Sequence, residues 1–280
     1  MSAVALDPPA AAPSLGEALL LEEVETRAMR DMVEAAPAAV RAAGGLSAVE
    51  RDGALCIRCD ALPGSRMFNH VFGLGLDRPA RADDLAWAAA AYDGRAHHVA
   101  LSPAARPAEL GGLLAARGYA PGYGWVKFRR GVEPLPAPAT DLRVVPADGR
   151  HEAAFGAVIA EAFHLPAWAG DWVAAMPGRP GWTCLVALDG ATPVSAGGLY
   201  VAGGVGWLAF GATLPAHRGR GGQTAILAAR IARAAELGCI ALAVETGARE
   251  PGRAEASYRN IVAAGFEPRY LRPNWASPTG

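Results

Sequence analysis

The sequence predicts an α/β chain made of two like halves, each a mixed sheet carrying helices. Three observations support this. Short apolar runs of strand character alternate with amphipathic stretches at helical spacing along all 280 residues. A proline-rich connector, GVEPLPAPATD at 131–141, divides the chain near its middle. On either side of it one phrase recurs, LLAARGYAPGY at 113–123 and IVAAGFEPRY at 261–270, each after a strand–helix unit and before a closing strand. Gly118 and Gly265 occupy matching points, so the expected units are residues 1–135 and 136–280.

In order, residues 1–13 are Ala/Pro-rich and expected to be disordered or loosely attached. Ser14 is a natural cap for a helix to about Ala36, with Leu19, Leu20, Val24, Met29 and Val33 as its apolar stripe. Two short strands flank Asp52-Gly53, a hairpin signal. MFNHVFGLGL reads as a strand, Asp83 or Asp84 as the cap of a helix through Tyr92, HHVALSP as a strand, PAELGGLLAARGY as a helix and YGWVKFRR as a closing strand. After the connector come the strand LRVVP, a helix from about Arg150 to Phe163 and an aromatic-rich segment around Trp168 and Trp172. A hairpin at Asp189-Gly190 and a turn at Gly203-Gly204 lead into WLAFGAT. The next helix, from about Gly222 to Leu237, is expected to turn Leu227, Ile231 and Ala234 inward and Arg230, Arg233 and Glu236 outward. CIALAVET is a buried strand, EASYRNIVAAG a helix, and FEPRYLRPNW is extended.

Composition excludes several classes. A hydrophobic content of 52% reflects alanine, and no run approaches the ~18 apolar residues of a membrane span. The first residues lack the basic start of a secretion signal. A net charge of −1 leaves no broad basic face for nucleic acid. Cys56 and Cys59 sit at an offset that puts them on opposite faces of one strand, and no second Cys/His pair completes a metal site. The expectation is a cytoplasmic protein with reduced thiols, no metal, no membrane partner and no nucleic-acid partner.

The stretch that carries chemistry is TLPAHRGRGGQT, residues 213–224, between an apolar strand and a helix. Gly219, Gly221 and Gly222 let backbone N–H groups turn inward, and the helix behind adds its unsatisfied first-turn donors. Arg218 and Arg220 supply charge suited to phosphate oxygens. The order strand, R-x-x-G-x-[GA], helix resembles the acyl-CoA-binding motif of the GNAT superfamily of N-acetyltransferases. Arg218 and Gly221 match its defining positions, while Gln223 stands where the family has Gly or Ala.

That resemblance implies two tandem GNAT-like domains. Residues 136–280 form the acetyl-CoA-binding copy, and 1–135 form a degenerate copy whose GLGLDRPARADDLAW lacks the glycine motif and places acid before its helix. The resemblance also implies a sheet splayed between the strands ending near Thr213 and Glu245. Pantetheine would bond the backbone at Ala212 and Thr213, and the pyrophosphate would lie on residues 218–224, from Arg218 through Gly222 and Gln223 to Thr224. Ser257 matches a serine that some relatives place near the cofactor sulfur or pyrophosphate. The implied activity is acetyl transfer from acetyl-CoA to a primary amine of a small molecule or peptide, by an internal pseudo-dimer that is a monomer or homodimer. The competing expectations are a different acyl group or acceptor, and a non-catalytic acyl-CoA sensor.

For the base, Glu245 alternates onto the face of Ala241 and Ala243 at the end of a strand bordering the splay. It is expected either to take a proton or bind a cationic amine, or else to pair structurally with Arg249 or Arg253 or cap the following turn. The family's usual tyrosine acid position is Ile261 here, which leaves Tyr258 as the nearest candidate, with Tyr270 as another. Trp168 falls where relatives place a substrate lid, although Trp168 and Trp172 at i, i+4 equally fit one buried helix face. Asn69 and His70 lie in the first half's counterpart of the cofactor strand, where they either face the acceptor or satisfy the core.

Overall fold

The computed structural model describes residues 12–249 and 256–278. Ser14 accepts a hydrogen bond from the Glu17 amide (3.2 Å) and so starts helix α1, Leu15–Ala35. Its buried face carries Leu21, Val24, Ala28 and Met32, together with the carboxylates of Glu22 and Glu25. A short helix α2, Ala38–Gly44, which the pattern did not foresee, follows Pro37 and ends on the left-handed Gly45. The Asp52-Gly53 hairpin joins β1 (Leu46–Arg51) to β2 (Ala54–Cys59). Then come β3 (His70–Phe72), α3 (Ala82–Ala90), β4 (His98–Ala100), α4 (Leu110–Ala115) and β5 (Ala120–Arg130).

Beyond the connector lie β6 (Arg143–Pro146), α5 (Glu152–Ala162), α6 (Ala167–Val173), β7 (Trp182–Asp189), β8 (Thr192–Ala202) and β9 (Val205–Thr213). A 3₁₀ turn at Pro215–His217 leads into α7 (Gly222–Glu236), β10 (Ala241–Gly247), α8 (Ala256–Ala263) and β11 (Glu267–Ala276). The cap of α3 differs from expectation. Arg81 holds the N-cap position, and Asp84, three residues on, accepts from its amide at 2.7 Å while pairing with Arg78 at 2.8 Å. A protein carboxylate thus satisfies the helix start where the second half has its glycine loop.

One eleven-stranded sheet contains every described strand, in the order β1-β2-β3-β4-β11-β5-β10-β9-β8-β7-β6. Two neighbouring pairs run parallel, β3 with β4 and β9 with β10, one in each half. Each is the middle of a strand–helix–strand unit whose helix, α3 or α7, packs on the same side of the sheet. The closing strands are exchanged. β5, from the first half, pairs antiparallel with β10, while β11, from the second, pairs with β4 and also with β5.

Strand alternation divides the core. On β10, Leu242 and Val244 meet α7 and α8, whereas Ala243 faces the side covered by α1, α5 and α6. On β5 the same alternation sends Val126 and Phe128 toward α8 and Lys127 toward α1. Cys56 and Cys59 enter different clusters, as their offset predicts, and the free thiols are buried. Among the described residues no helix is long and apolar enough to cross a membrane.

Because each half is completed by the other's last strand, residues 136–280 expressed alone should lack cooperative thermal unfolding. Co-expression with residues 1–135 should restore a single transition and a one-to-one complex. A cooperative transition from 136–280 by itself would show that the exchange is dispensable.

Candidate functional site

β9 and β10 are bonded only at their beginnings, with Val205 opposite Ala241, Gly206 opposite Leu242 and Trp207 opposite Ala243. Past these residues the two strands continue to Thr213 and Gly247 without pairing, so the sheet opens between them. On its other edge β9 bulges, since Phe210 and Gly211 together oppose the single residue Gly197 of β8. Phe210 accordingly sits at φ 54°, a conformation a bulky residue adopts only when its surroundings impose it.

Arg230 is the support. Its guanidinium is buried under the bulge and donates to the carbonyls of Gly198 (3.0 Å) and Ala209 (2.9 Å), which flank it. The expectation that Arg230 points outward is therefore corrected. Three residues after Leu227 and four before Ala234, it shares their face, and the glycine pair Gly197-Gly198 makes room for it, since a Cβ on Gly197 would lie 3.0 Å from its central carbon. Burial pulls its pKa down to about 9, so it is still cationic at neutral pH.

The turn from β9 into α7 fits an anion. Gly221, at φ 79°, caps the helix with no side-chain acceptor, which leaves the first-turn donors free of protein caps. A side chain on Gly222 would collide with the Ser195 hydroxyl, which itself meets Thr213 Oγ1 at 2.9 Å. Arg218 reaches the Thr213 carbonyl (3.4 Å) from an exposed position. Arg220 instead pairs with Asp189 and, at 2.8 Å, with Asp141, while the Thr140 hydroxyl donates to the Arg220 carbonyl at 2.6 Å. The Arg220 charge fixes the loop to the connector and to the β7–β8 turn.

A cavity of about 330 Å³ runs through the opening. One side is walled by Gly211, Gln223, Leu227, Ser257 and Ile261, and the other by α1, the segment entering β3, and β5 and β11. Glu245 lies inside it. Its carboxylate accepts from Lys127 Nζ (2.8 Å) and from Trp207 Nε1 (3.0 and 3.1 Å), so these are its partners rather than Arg249. Arg253 lies outside the described residues.

Lys127 also donates to Glu25 at 2.8 Å. Arg272 pairs with Glu25 (2.8 Å) and Glu22 (3.1 Å), and the Tyr270 hydroxyl donates to Glu22 at 2.9 Å. Burial and then the Glu25 charge push the Glu245 carboxyl above its ordinary range, more than Lys127 and Arg272 restore. Burial also opposes ionisation of Glu25, but the charges of Arg272 and Lys127 outweigh it and hold that carboxyl well below the usual range. Two carboxylates of one cluster are thus driven apart.

No family model matches the sequence, and no curated protein is significantly similar to it. Solved structures are similar. A GCN5-related N-acetyltransferase from Kribbella flavida superposes with a TM-score of 0.59 at 16% identity, covering 92% of this chain and 96% of its own. Another from Sphaerobacter thermophilus gives 0.56 at 17%, covering 96% of each chain. A tandem GNAT protein from the clavulanic acid biosynthesis pathway gives 0.56 at 14%, covering 96% and 97%. The chain has the GNAT fold.

Within the GNAT fold the expected site residues separate. Glu245, Gln223 and Ser257 line the cavity, and Ala212 and Thr213 continue β9 just beyond the bulge. Tyr258 is buried edge-on against Phe128, with ring centres 5.0 Å apart, so packing engages its ring. Ile261, at the family's usual acid position, lines the cavity with an apolar surface.

Asn69 does not line the cavity. Its amide bonds the Cys59 N–H (2.7 Å) and the carbonyls of Cys59 (3.2 Å) and Leu62 (3.0 Å), clamping a loop, and its φ of 61° suits Asn. Trp168 packs beside Gly44 outside the cavity, and Trp172 is buried with its N–H on the Met32 carbonyl (2.6 Å). Lys127 and Arg272 went unnoticed in the sequence, and Arg230 was placed on the wrong face. For Lys127 a signal existed, a lone charge inside the apolar strand YGWVKFRR.

Because Glu25 holds its charge far more readily folded than unfolded, the stability it contributes is present above the ordinary carboxylate pKa, near 4.5, and lost as pH falls below it. Glu25→Gln should cost roughly 3–5 kcal/mol at neutral pH, since Lys127 and Arg272 lose a buried partner. It should also flatten the acid side of the stability curve. Denaturant unfolding across pH checks both, and an unchanged curve would contradict the role given to the cluster.

Proposed function

We propose that the chain is a GNAT-type N-acetyltransferase that moves acetyl from acetyl-CoA to a primary amine. The observation that carries this reading is the coincidence of three features at one opening: the parting of β9 and β10, the uncapped glycine start of α7, and a carboxylate of raised pKa in the cavity between them. In the tandem reading the pyrophosphate rests on residues 218–224, with the amides of Gly222, Gln223 and Thr224 and the charge of Arg218 facing it. Pantetheine follows the unpaired edge of β9 past Thr213 and Ala212. Asp84 accepts from the Arg81 amide and pairs with Arg78 at the corresponding helix start in residues 1–135, which supports the reading that the cofactor binds residues 136–280.

The acceptor arrives as an ammonium and must lose a proton before it attacks. Glu245 accepts that proton, directly or through water. The neutral nitrogen then adds to the thioester carbonyl, whose oxygen is held by the backbone amides freed at the Phe210–Gly211 bulge. The nitrogen, now cationic, releases its second proton to solvent; as the C–N bond stays and the C–S bond breaks, sulfur leaves with the electron pair and takes a proton from solvent or from Ser257 at the cavity wall. Lys127 and Trp207 hold the Glu245 carboxylate in place, and Arg230 holds the bulge. The other enzyme reading keeps the cradle and changes the acyl group or acceptor. A sensor reading rests on Ile261 and Gln223, and turnover of any amine excludes it.

Glu245→Gln should lower kcat about 100-fold or more with little change in acetyl-CoA affinity, read by thiol release and calorimetry. A wild-type rate at neutral pH would remove Glu245 from the mechanism. Since the carboxylate form is the active one and its pKa is raised, kcat/KM should fall as pH drops through a value above the ordinary carboxylate range. A flat profile down to pH 4.5 would contradict this assignment. Gly221→Asp puts a carboxylate and a strained backbone at the anion position, and should abolish the acetyl-CoA-induced rise in melting temperature. A full shift would refute the cradle.

A further inference from the structure

Resting on the transferase reading, we infer that Gln223 is a further catalytic residue. Its side-chain amide, with the outer nitrogen of Arg230 behind it, donates to the thioester oxygen as that oxygen becomes negative. Gln223 is the second residue of α7, where the motif it resembles has Gly or Ala. The diphosphate is served there by a backbone N–H, so the cradle gives the side chain no task.

Two polar groups of α7 converge on the bulge of β9. Gln223 and Arg230 lie seven residues apart, close to two helical turns, and so share a face. That face meets Gly211. A Cβ built on Gly211 would collide with Gln223 Nε2 and would lie 3.5 Å from Arg230 Nη2. Gln223 and Arg230 both border the cavity, as do Phe210 and Gly211.

Neither nitrogen is engaged by the protein. Arg230 is only 2% exposed, and its Nε and Nη1 are occupied by the carbonyls of Ile226 (3.4 Å), Gly198 (3.0 Å) and Ala209 (2.9 Å). Nη2 has no acceptor among the described residues, and the half-buried Gln223 amide has no partner among them either. A buried guanidinium N–H left this way is unusual. Two donors meeting at the edge of a cavity match an oxygen that carries negative charge, and neither an ammonium nor an apolar group suits them.

In the transferase reading the thioester carbonyl lies at this bulge. When the amine adds to its carbon, the π pair moves onto oxygen. The Gln223 and Arg230 N–H groups bond that oxygen and keep their protons, and the pair returns to carbon as the C–S bond breaks. The Arg230 charge is in place before the reaction begins, which favours the oxyanion over the neutral carbonyl. Ile261 brings no donor to the cavity, so these side chains and the bulge amides carry the developing charge.

The first test uses the full chain with acetyl-CoA isotopically labelled at the acetyl carbonyl, and needs no acceptor. Infrared difference spectra should show the bound carbonyl stretch at lower frequency than in free acetyl-CoA, and Gln223→Ala and Gln223→Met should each reverse part of that shift. Ala occurs at this position of the motif, and Met keeps the length of Gln without a donor, so both variants should retain the wild-type melting shift with acetyl-CoA. For each primary amine that the wild type acetylates, thiol release should show kcat lower by about 100-fold in both variants, with KM for acetyl-CoA little changed. A wild-type carbonyl frequency in either variant would overturn the inference, because the amide then does not touch the thioester. Weaker acetyl-CoA binding with kcat intact would overturn it too, making Gln223 a clamp on the pantetheine arm. Both results leave acetyl transfer standing, whereas a wild type that binds no acetyl-CoA would remove the transfer reading itself.

Discussion

Lys127 stands between Glu25 and Glu245, 2.8 Å from each, and much of the molecule depends on that placement. It comes from β5, the last strand of the first half, and reaches a carboxylate on β10 of the second. It can do so only because the closing strands are exchanged. Three buried acids and two buried bases drawn from α1, β5, β10 and β11 form a set in which removing one partner strands another. Such a set adds little net stability over an apolar core. It links α1 and β5 to β10 and β11 and leaves one carboxylate, Glu245, with the least support for its charge.

In the proposed reading the same arrangement gives residues 1–135 a role of their own. Asp84 accepts from the Arg81 amide at the start of α3, and in the proposed reading its carboxylate disfavours phosphate there. Yet α1, the entry to β3, and β5 wall the far side of the opening between β9 and β10. In the proposed reading one half grips the donor and the other receives the acceptor, so the duplicated fold carries two tasks instead of one task twice.

The sequence was most legible where local rules decide the outcome. The Asp52-Gly53 and Asp189-Gly190 hairpins, the Ser14 cap and the glycine start of α7 all depend on a few adjacent residues. Glu245 was legible too, since alternation along one strand sufficed to face it away from Leu242 and Val244. What was hidden depends on residues distant in sequence. The exchange of β5 and β11 cannot be read from either strand, because which strand each pairs with depends on residues far away in the chain. Arg230 looked like a surface cation until two glycines on β8 made space for it. Asn69 and Tyr258 are polar groups engaged by local structure, a loop clamp and an aromatic contact, and sequence alone does not distinguish such groups from ligands.

The central claim is that one opening in the sheet, and not its counterpart in the first half, receives a coenzyme A ester. Calorimetric titration of the full-length wild-type protein with acetyl-CoA measures this directly through stoichiometry. Saturation at one molecule per chain is expected. Two molecules would contradict the closure of the first half by Asp84, and the absence of any saturable heat would contradict the cradle at Gly221.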